Sequence, residues 1–462
     1  MSRFAFISDT RAVLGEVSRW EAIDIARTGA FVGALLLAWI SLQPFIDLSN
    51  MLLAEVTTGK EASTYVAFGC FALVTFALAM RDGGRGFATL ISPGYLALVG
   101  WTAATVVMSI EPGTSARRFV LSLCVAAVAA SLLLLPKSEN ELRRWFAIAI
   151  LSLLAVCYLG VLLIPNLSVH LATDAQEPAL AGDWRGVFGH KNMAAGMMAM
   201  LLFLGIYIIR AGSWLAGGIA VGLTVVFFIN TEGKSSLALC VVVLALTSFA
   251  ASIRSLWGRA IVLLAPLVML NMIGIGSVMS DHLAAISKAL PVDATFTGRT
   301  DIWTFGLEAA QLKLWTGYGF ASFWGSSAVR NLPQGMEWAA SAAHSHNGYL
   351  DITLAMGLPG LALLIAVFVI APLRNFHTAD CQGNSGPLAT ALLQVWLFGL
   401  YLSSMESFFL DRADPMWVTF LTAVFGLHYL ARFRLKTQLE LRFRSSQAIA
   451  APPMRTSESK EL

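Results

Sequence analysis

Twelve runs of apolar residues, each close to the length of a membrane-crossing helix, leave this chain few ways to fold. A crossing helix needs about 20 mostly apolar residues. Runs of that kind cover 29–48, 62–80, 88–109, 118–136, 144–165, 192–209, 212–230, 235–252, 259–280, 349–372, 387–403 and 415–431. The runs at 212–230 and 235–252 are short and close together, so eleven or thirteen spans remain alternatives. The expected fold class is an all-α polytopic membrane protein with about twelve transmembrane helices.

Composition agrees. Of 462 residues, 57% are hydrophobic and 13% charged, whereas soluble domains carry about a quarter charged residues. Lys and Arg in short joints set the expected orientation. Arg3, Arg11, Arg19 and Arg27 precede the first run; Arg81, Arg85, Lys137, Arg143, Arg144, Arg210, Arg254, Arg374, Arg432, Arg434 and Lys436 fill alternate joints. All fall on one side if both termini are cytoplasmic. The N-terminal stretch holds Glu16, Glu21 and Asp24 and no cleavage pattern, so no removable signal is expected. A net charge of +3, scattered along the chain, gives no reason to expect a nucleic-acid partner. Cys70, Cys124, Cys157 and Cys240 lie in apolar runs and read as buried small hydrophobes; Cys381 falls in a cytoplasmic joint.

The chain divides into a cytoplasmic segment 1–28, nine spans over 29–280, a large outward loop 281–348, three spans over 349–431 and a cytoplasmic tail 432–462 expected to be disordered. Within the loop, DIWTFGLEAAQLKLW sets Ile302, Phe305, Ala309 and Leu312 at helical spacing, with Trp303, Leu307, Ala310 and Leu314 alongside. Gly317 and Gly319 of TGYGF end that helix, and NLPQG ends a second irregular stretch. A structured outward loop that lids a membrane cavity is expected.

Chemistry is sought where the polar residues gather, which is the outer boundary rather than the midplane. They are Asp183, Arg185, His190 and Lys191; Glu232 and Lys234; Arg299 and Asp301; and His344, His346 and Asp351. Cations around one mouth suit an anionic, membrane-held ligand such as a lipid diphosphate, and the planar guanidinium binds phosphate oxygens two at a time. Plainer roles compete. His346 could cap a helix, Arg185 could anchor to headgroups, and Arg299 could pair with Asp301. His170, His190 and His282 read as surface residues, and Gly357 with Gly360 as close helix packing. Trp303, Trp315, Trp324 and Trp338 read as interfacial anchors, or one or two of them as sugar-stacking platforms. The acidic pair Asp411 and Asp414 reads as a span cap.

Three blocks, GDWRGVFGHKNMAAGMM, TGRTDIW with GYGFASFW, and HSHNGYLDITLAMGLPG, resemble the O-antigen ligase/polymerase superfamily, most closely its exopolysaccharide-polymerase branch. His346, Asn347, Gly357 and Gly360 meet the His-Asn, nine residues, Gly-x-x-Gly pattern, and Arg185 with Gly196 meets the Arg-to-Gly spacing. TEGKSS departs from the Ser-x-Ser-Arg/Lys stretch of many relatives, keeping a cation in Lys234 but adding Glu232. The resemblance implies a GT-C-like helical membrane glycosyltransferase that takes a glycan from undecaprenyl diphosphate, with no metal and no cofactor. Expected partners are the lipid-linked donor and acceptor, the bilayer, and a chain-length regulator or export proteins.

The reaction assigns roles. Loss of diphosphate needs fixed positive charge, for which Arg185 and Arg299 are the candidates; such stabilisation is worth about a hundredfold or more in rate. Deprotonation of the acceptor hydroxyl suits an imidazole, and His346 is the candidate. Direct displacement would invert the anomeric centre. His344, Asn347, Lys191 and Lys234 are the substrate-binding candidates. The rivals are a ligase acting on lipid A core, a transporter of lipid-linked sugar, and a non-catalytic scaffold of a secretion complex.

Overall fold

The computed structural model describes residues 3–49, 62–81, 84–175, 177–289, 299–326, 329, 342–411 and 413–433, with only the backbone described for 3–21. The tail beyond 433, the NLPQG stretch and Trp338 lie outside the described residues. The ordered core is helical throughout. Its elements are α1 (Arg3–Ile40), α2 (Ala62–Arg81), α3 (Pro93–Val107), α4 (Pro112–Leu132), α5 (Glu139–Leu163), α6 (Lys191–Arg210), α7 (Trp214–Asn230), α8 (Lys234–Ala251), α9 (Leu256–Ile273), α10 (Asp281–Ala289), α11 (Arg299–Leu312), α12 (Gly348–Leu364), α13 (Ala371–Cys381), α14 (Pro387–Leu402) and α15 (Pro415–Leu430). A π-helical turn, Ile365–Ile370, fuses α12 to α13.

Each of the twelve apolar runs is thus a helix. Among the described residues, eight helices are long and apolar enough to cross a membrane, counting α12–α13 as one, and α3, α7, α14 and α15 are shorter apolar helices. The first run stops at Ile40 rather than 48, because Ser41 and Phe45 take positive φ and Pro44 lacks an N–H. Helix α6 and the short α14 and α15 form the centre of the bundle. Every residue of α15 is buried, as is all of α14 from Leu388 onward except Thr390. Such all-round burial suits helices whose every face is apolar. Asp414 caps α15, its carboxylate accepting from Trp417 N at 2.9 Å, as expected of that turn. Cys157 and Cys240 are buried as expected, but Cys70 is exposed on the outside of α2, a face an apolar solvent would cover.

The stretch between α9 and α12 folds onto the bundle through an opening in α12. At Gly357 the backbone leaves the helix (φ 66°, ψ −173°), two residues before Pro359. That break frees the carbonyls of Leu354, Ala355 and Met356. Tyr318 N donates to Leu354 O at 2.7 Å, Gly319 N to Ala355 O at 3.0 Å, and Trp101 Nε1 of α3 to Met356 O at 2.9 Å. In return Leu358 N donates to Leu314 O at 2.8 Å. Irregular backbone at membrane depth needs its polar groups satisfied by protein, and here a loop does it. The two backbones lie so close that a Cβ on Gly317 would sit 2.5 Å from Ala355 C, and one on Gly357 2.5 Å from Trp315 C. Gly357 therefore serves close packing, but against a loop rather than another helix.

Helix α11 buries Trp303, Gly306, Ala309 and Ala310. Leu312, set at helical spacing with Ile302, Phe305 and Ala309, is 81% exposed, at the point where the chain leaves the helix toward the α12 break.

Candidate functional site

His346 is the crest of a turn whose two neighbours are pinned. Ser345 N donates to the Asp351 carboxylate at 3.2 Å, and Ser345 O accepts from the Trp303 indole at 3.0 Å. Ser345 Oγ donates to Asn347 O at 2.9 Å and accepts from Asn347 N at 3.2 Å. Asn347 caps α12: its Oδ1 accepts from Tyr349 N and Leu350 N, and its Nδ2 donates to Asn271 Oδ1 and Ser404 O. With both donors and both lone pairs occupied, the buried Asn347 side chain ties α12 to α9 and to the α14–α15 turn. His346 between them has φ 54°, a left-handed conformation costly for a non-glycine residue.

The partner that completes this turn is Glu406, between α14 and α15. His346 Nδ1 donates to Glu406 Oε2 at 3.2 Å, Arg299 Nη2 donates to Oε1 at 2.9 Å, and Asn192 Nδ2 donates to Oε1 at 3.1 Å. Arg299 also donates to Met405 O. Burial opposes ionisation of Glu406, but the His346 hydrogen bond and the charge of Arg299 outweigh it and hold the carboxyl down at about 2. An ionised Glu406 is acceptor only, so in the neutral imidazole of His346 the proton sits on Nδ1 and Nε2 is the acceptor. His346 is about a third exposed (32%), against 16% for Glu406, so the imidazole is the accessible end of the pair.

His344 stacks edge-on against His346 with ring centroids 4.2 Å apart, and its Nδ1 accepts from His346 N at 3.3 Å. Burial, then the neighbouring His346, lowers its pKa, which suits a neutral acceptor. His344, His346 and Glu406 offer three ligand atoms within 4.8 Å of one another, the spacing of a candidate metal group. Arg299 and Asn192 already bond the Glu406 oxygen that His346 does not, and the guanidinium supplies the positive charge there.

The first loop reaches the same mouth from α6. Lys191 Nζ pairs with Asp183 at 2.5 Å, both side chains 15% exposed. His190 caps α6, its Nδ1 accepting from Asn192 N, while Nε2 donates to Glu177 at 2.5 Å. His170, expected on the surface, is buried. Its Nε2 accepts from Lys191 N at 3.2 Å and its Nδ1 donates to Asp174 at 2.9 Å, so it is a structural hinge-pin of the loop. His282 is exposed as expected. Arg185 is fully buried. Its guanidinium donates to Ile46 O at 2.7 Å and Phe188 O at 3.3 Å, Nε has no partner, and no carboxylate pairs with it among the described residues. Lys234 stands exposed at the first residue of α8, in a turn that packs on α6 where Gly233 meets Ala195.

Of the seven candidate residues, the structure joins His344, His346, Asn347 and Arg299 around one turn. Lys191 at the start of α6 is held by Asp183, Arg185 in the preceding loop is held by backbone carbonyls, and Lys234 stands apart on the exposed start of α8. Glu406 was not singled out by sequence. Its signal was a lone acid among serines (SSMES) at the end of an apolar run.

Residues 197–365 match the sequence model of the O-antigen ligase family. That segment holds Lys234, Arg299, His344, His346 and Asn347; Arg185, Lys191 and Glu406 lie outside it. The chain is also similar to the exopolysaccharide production protein ExoQ of Rhizobium meliloti strain 1021, with 25% identity over 201 residues. That similarity covers 40% of this chain and 45% of the relative, so the chain spans less than half the length of the curated relative it matches. With the all-α polytopic fold, these matches make the chain similar over part of its length to proteins of the O-antigen ligase/polymerase kind.

Proposed function

We infer that the chain is a membrane glycosyltransferase that joins undecaprenyl-diphosphate-linked oligosaccharide repeat units into exopolysaccharide at the periplasmic face. The observation that carries this reading is the Glu406–His346 pair with Arg299 on the same carboxylate. His346 Nε2 takes the proton of the acceptor hydroxyl, with Glu406 holding the tautomer and balancing the imidazolium that forms. The hydroxyl oxygen bonds to the anomeric carbon from the face opposite the diphosphate. The carbon–oxygen bond to phosphate breaks, its electron pair leaves with the diphosphate, and the configuration inverts.

Positive charge for the leaving group comes from Arg299 and Arg185. A buried guanidinium without a carboxylate is costly, and an anion at that site would offset the cost. Lys191 and Lys234 stand at the same mouth to meet the donor, and His344 and Asn347 hold the base in place. No step requires a metal.

A second reading, transfer of a finished glycan to lipid A core, is favoured by the family whose model matches. The name of the relative favours polymerisation. Membranes of a deletion strain complemented with wild type, Arg185→Ala, Arg299→Ala or His346→Ala, at matched expression, separate the two. Single lipid-linked repeat units should accumulate and long polymer vanish in each variant. Normal polymer with lipid A core left bare would replace polymerase by ligase, and normal products throughout would remove this active site.

A further inference from the structure

Resting on the transferase reading, we propose that Trp324 is the stacking platform of the acceptor sugar. The aromatic residues between α9 and α12 have distinct fates. Trp303 is buried with its indole on Ser345 O, and Tyr318 and Phe323 are buried in the same cluster. Trp315 is 68% exposed next to Leu312, beside the α12 break, as an interfacial anchor would be. Trp324 is different. It packs on the buried cluster while remaining partly exposed, with Phe323 edge-on at 5.0 Å and Phe305 at 6.2 Å.

Its ring is also fixed. The indole Nε1 donates to Asp351 Oδ1 at 2.8 Å, and the same carboxylate accepts Ser345 N, the residue before His346. One carboxylate therefore sets the position of both the indole and the base. A pyranose presents an apolar C–H face and a rim of hydroxyls. An indole with one packed side and an anchored N–H binds the first, and a nearby imidazole acceptor meets the second. Holding both on Asp351 aligns a stacked ring with His346 Nε2 before the donor arrives, which lowers the ordering cost of binding. Asp351 is thus a positioning residue, and Trp324 determines which acceptor ring fits.

The test uses full-length protein in proteoliposomes. The acceptor probe is the repeat-unit oligosaccharide released by mild acid from the lipid pool of producing cells. Trp324→Phe keeps an aromatic face; Trp324→Leu keeps apolar bulk without one. Trp324→Leu should raise the acceptor KM about tenfold, the donor KM and kcat staying within about threefold, and Trp324→Phe, which keeps the aromatic face but loses the N–H anchor, should raise it by a smaller factor. Saturation-transfer NMR of the same oligosaccharide should show ring C–H contacts that Trp324→Leu loses. An unchanged acceptor KM with unchanged contacts overturns the platform. A loss of kcat alone also overturns it, assigning Trp324 to packing. If wild type transfers nothing, the transferase reading fails, while the NMR contacts still decide for or against Trp324.

Discussion

A carboxylate bonded to an imidazole and a guanidinium together fixes the position of both, and Glu406 holds that place between His346 and Arg299. Glu406→Gln keeps the shape and removes the charge that orders the tautomer. Transfer should fall about 100-fold or more in proteoliposomes, with expression unchanged. The same variant has a stability signature. The Glu406 pKa is about 2 in the fold and ordinarily 4.5, so its contribution is complete above pH 4.5 and is lost as pH falls toward 2. Between about pH 6 and about pH 3, wild type should lose more Tm than Glu406→Gln; parallel losses would deny the carboxylate this role. His346 and Arg299 were legible in sequence because ionisable groups at a span boundary stand out. Glu406 was not, since it follows His346 by 60 positions and only the meeting of the start of α12 with the turn after α14 joins them. Asn347 was read as a ligand contact. Its position before GYLD is also that of a helix cap, and the fold uses it so.

At the scale of elements, the break in α12 determines where the outward segment docks. Gly357 combines positive φ with a backbone neighbour, so Gly357→Ala meets both strain and overlap. Gly357→Ala and Gly317→Ala should each cost about 1–3 kcal/mol or more, read as a lower Tm in detergent. Gly218→Ala, in α7 with open space around its Cβ, is the control that should leave Tm unchanged. Equal melting of all three would mean the joint is slack. The helices themselves were legible from run length alone. The joint was not, because two glycine-bearing loops forty positions apart carry no periodic signal of their partnership.

At the scale of the molecule, the central helices are short. Sixteen residues of α14 or α15 rise about 24 Å, against a hydrocarbon core of about 30 Å. The turn bearing Glu406 joins those two helices, and Arg299 of α11 reaches its carboxylate there. The α12–α13 unit spans 34 residues and ends in the exposed Cys381, at the far end from His346. The expected orientation can be read there. In intact spheroplasts a membrane-impermeant maleimide should label Ala343→Cys, an exposed position beside His344, and spare Cys381 until the membrane is opened. The reverse pattern would turn the protein over and with it the side on which chemistry occurs.

The opening in α12 is bridged by peptide groups and one indole, not by a matched set of side chains. A seam made of peptide groups is indifferent to most of the residues that flank it. Leu354, Ala355 and Tyr318 contribute N–H and C=O groups that every residue except proline also supplies. What is demanded is the absence of a Cβ at Gly317, Gly319 and Gly357. The two halves of the seam could therefore be exchanged with segments of quite different composition and still close, provided the glycines come with them.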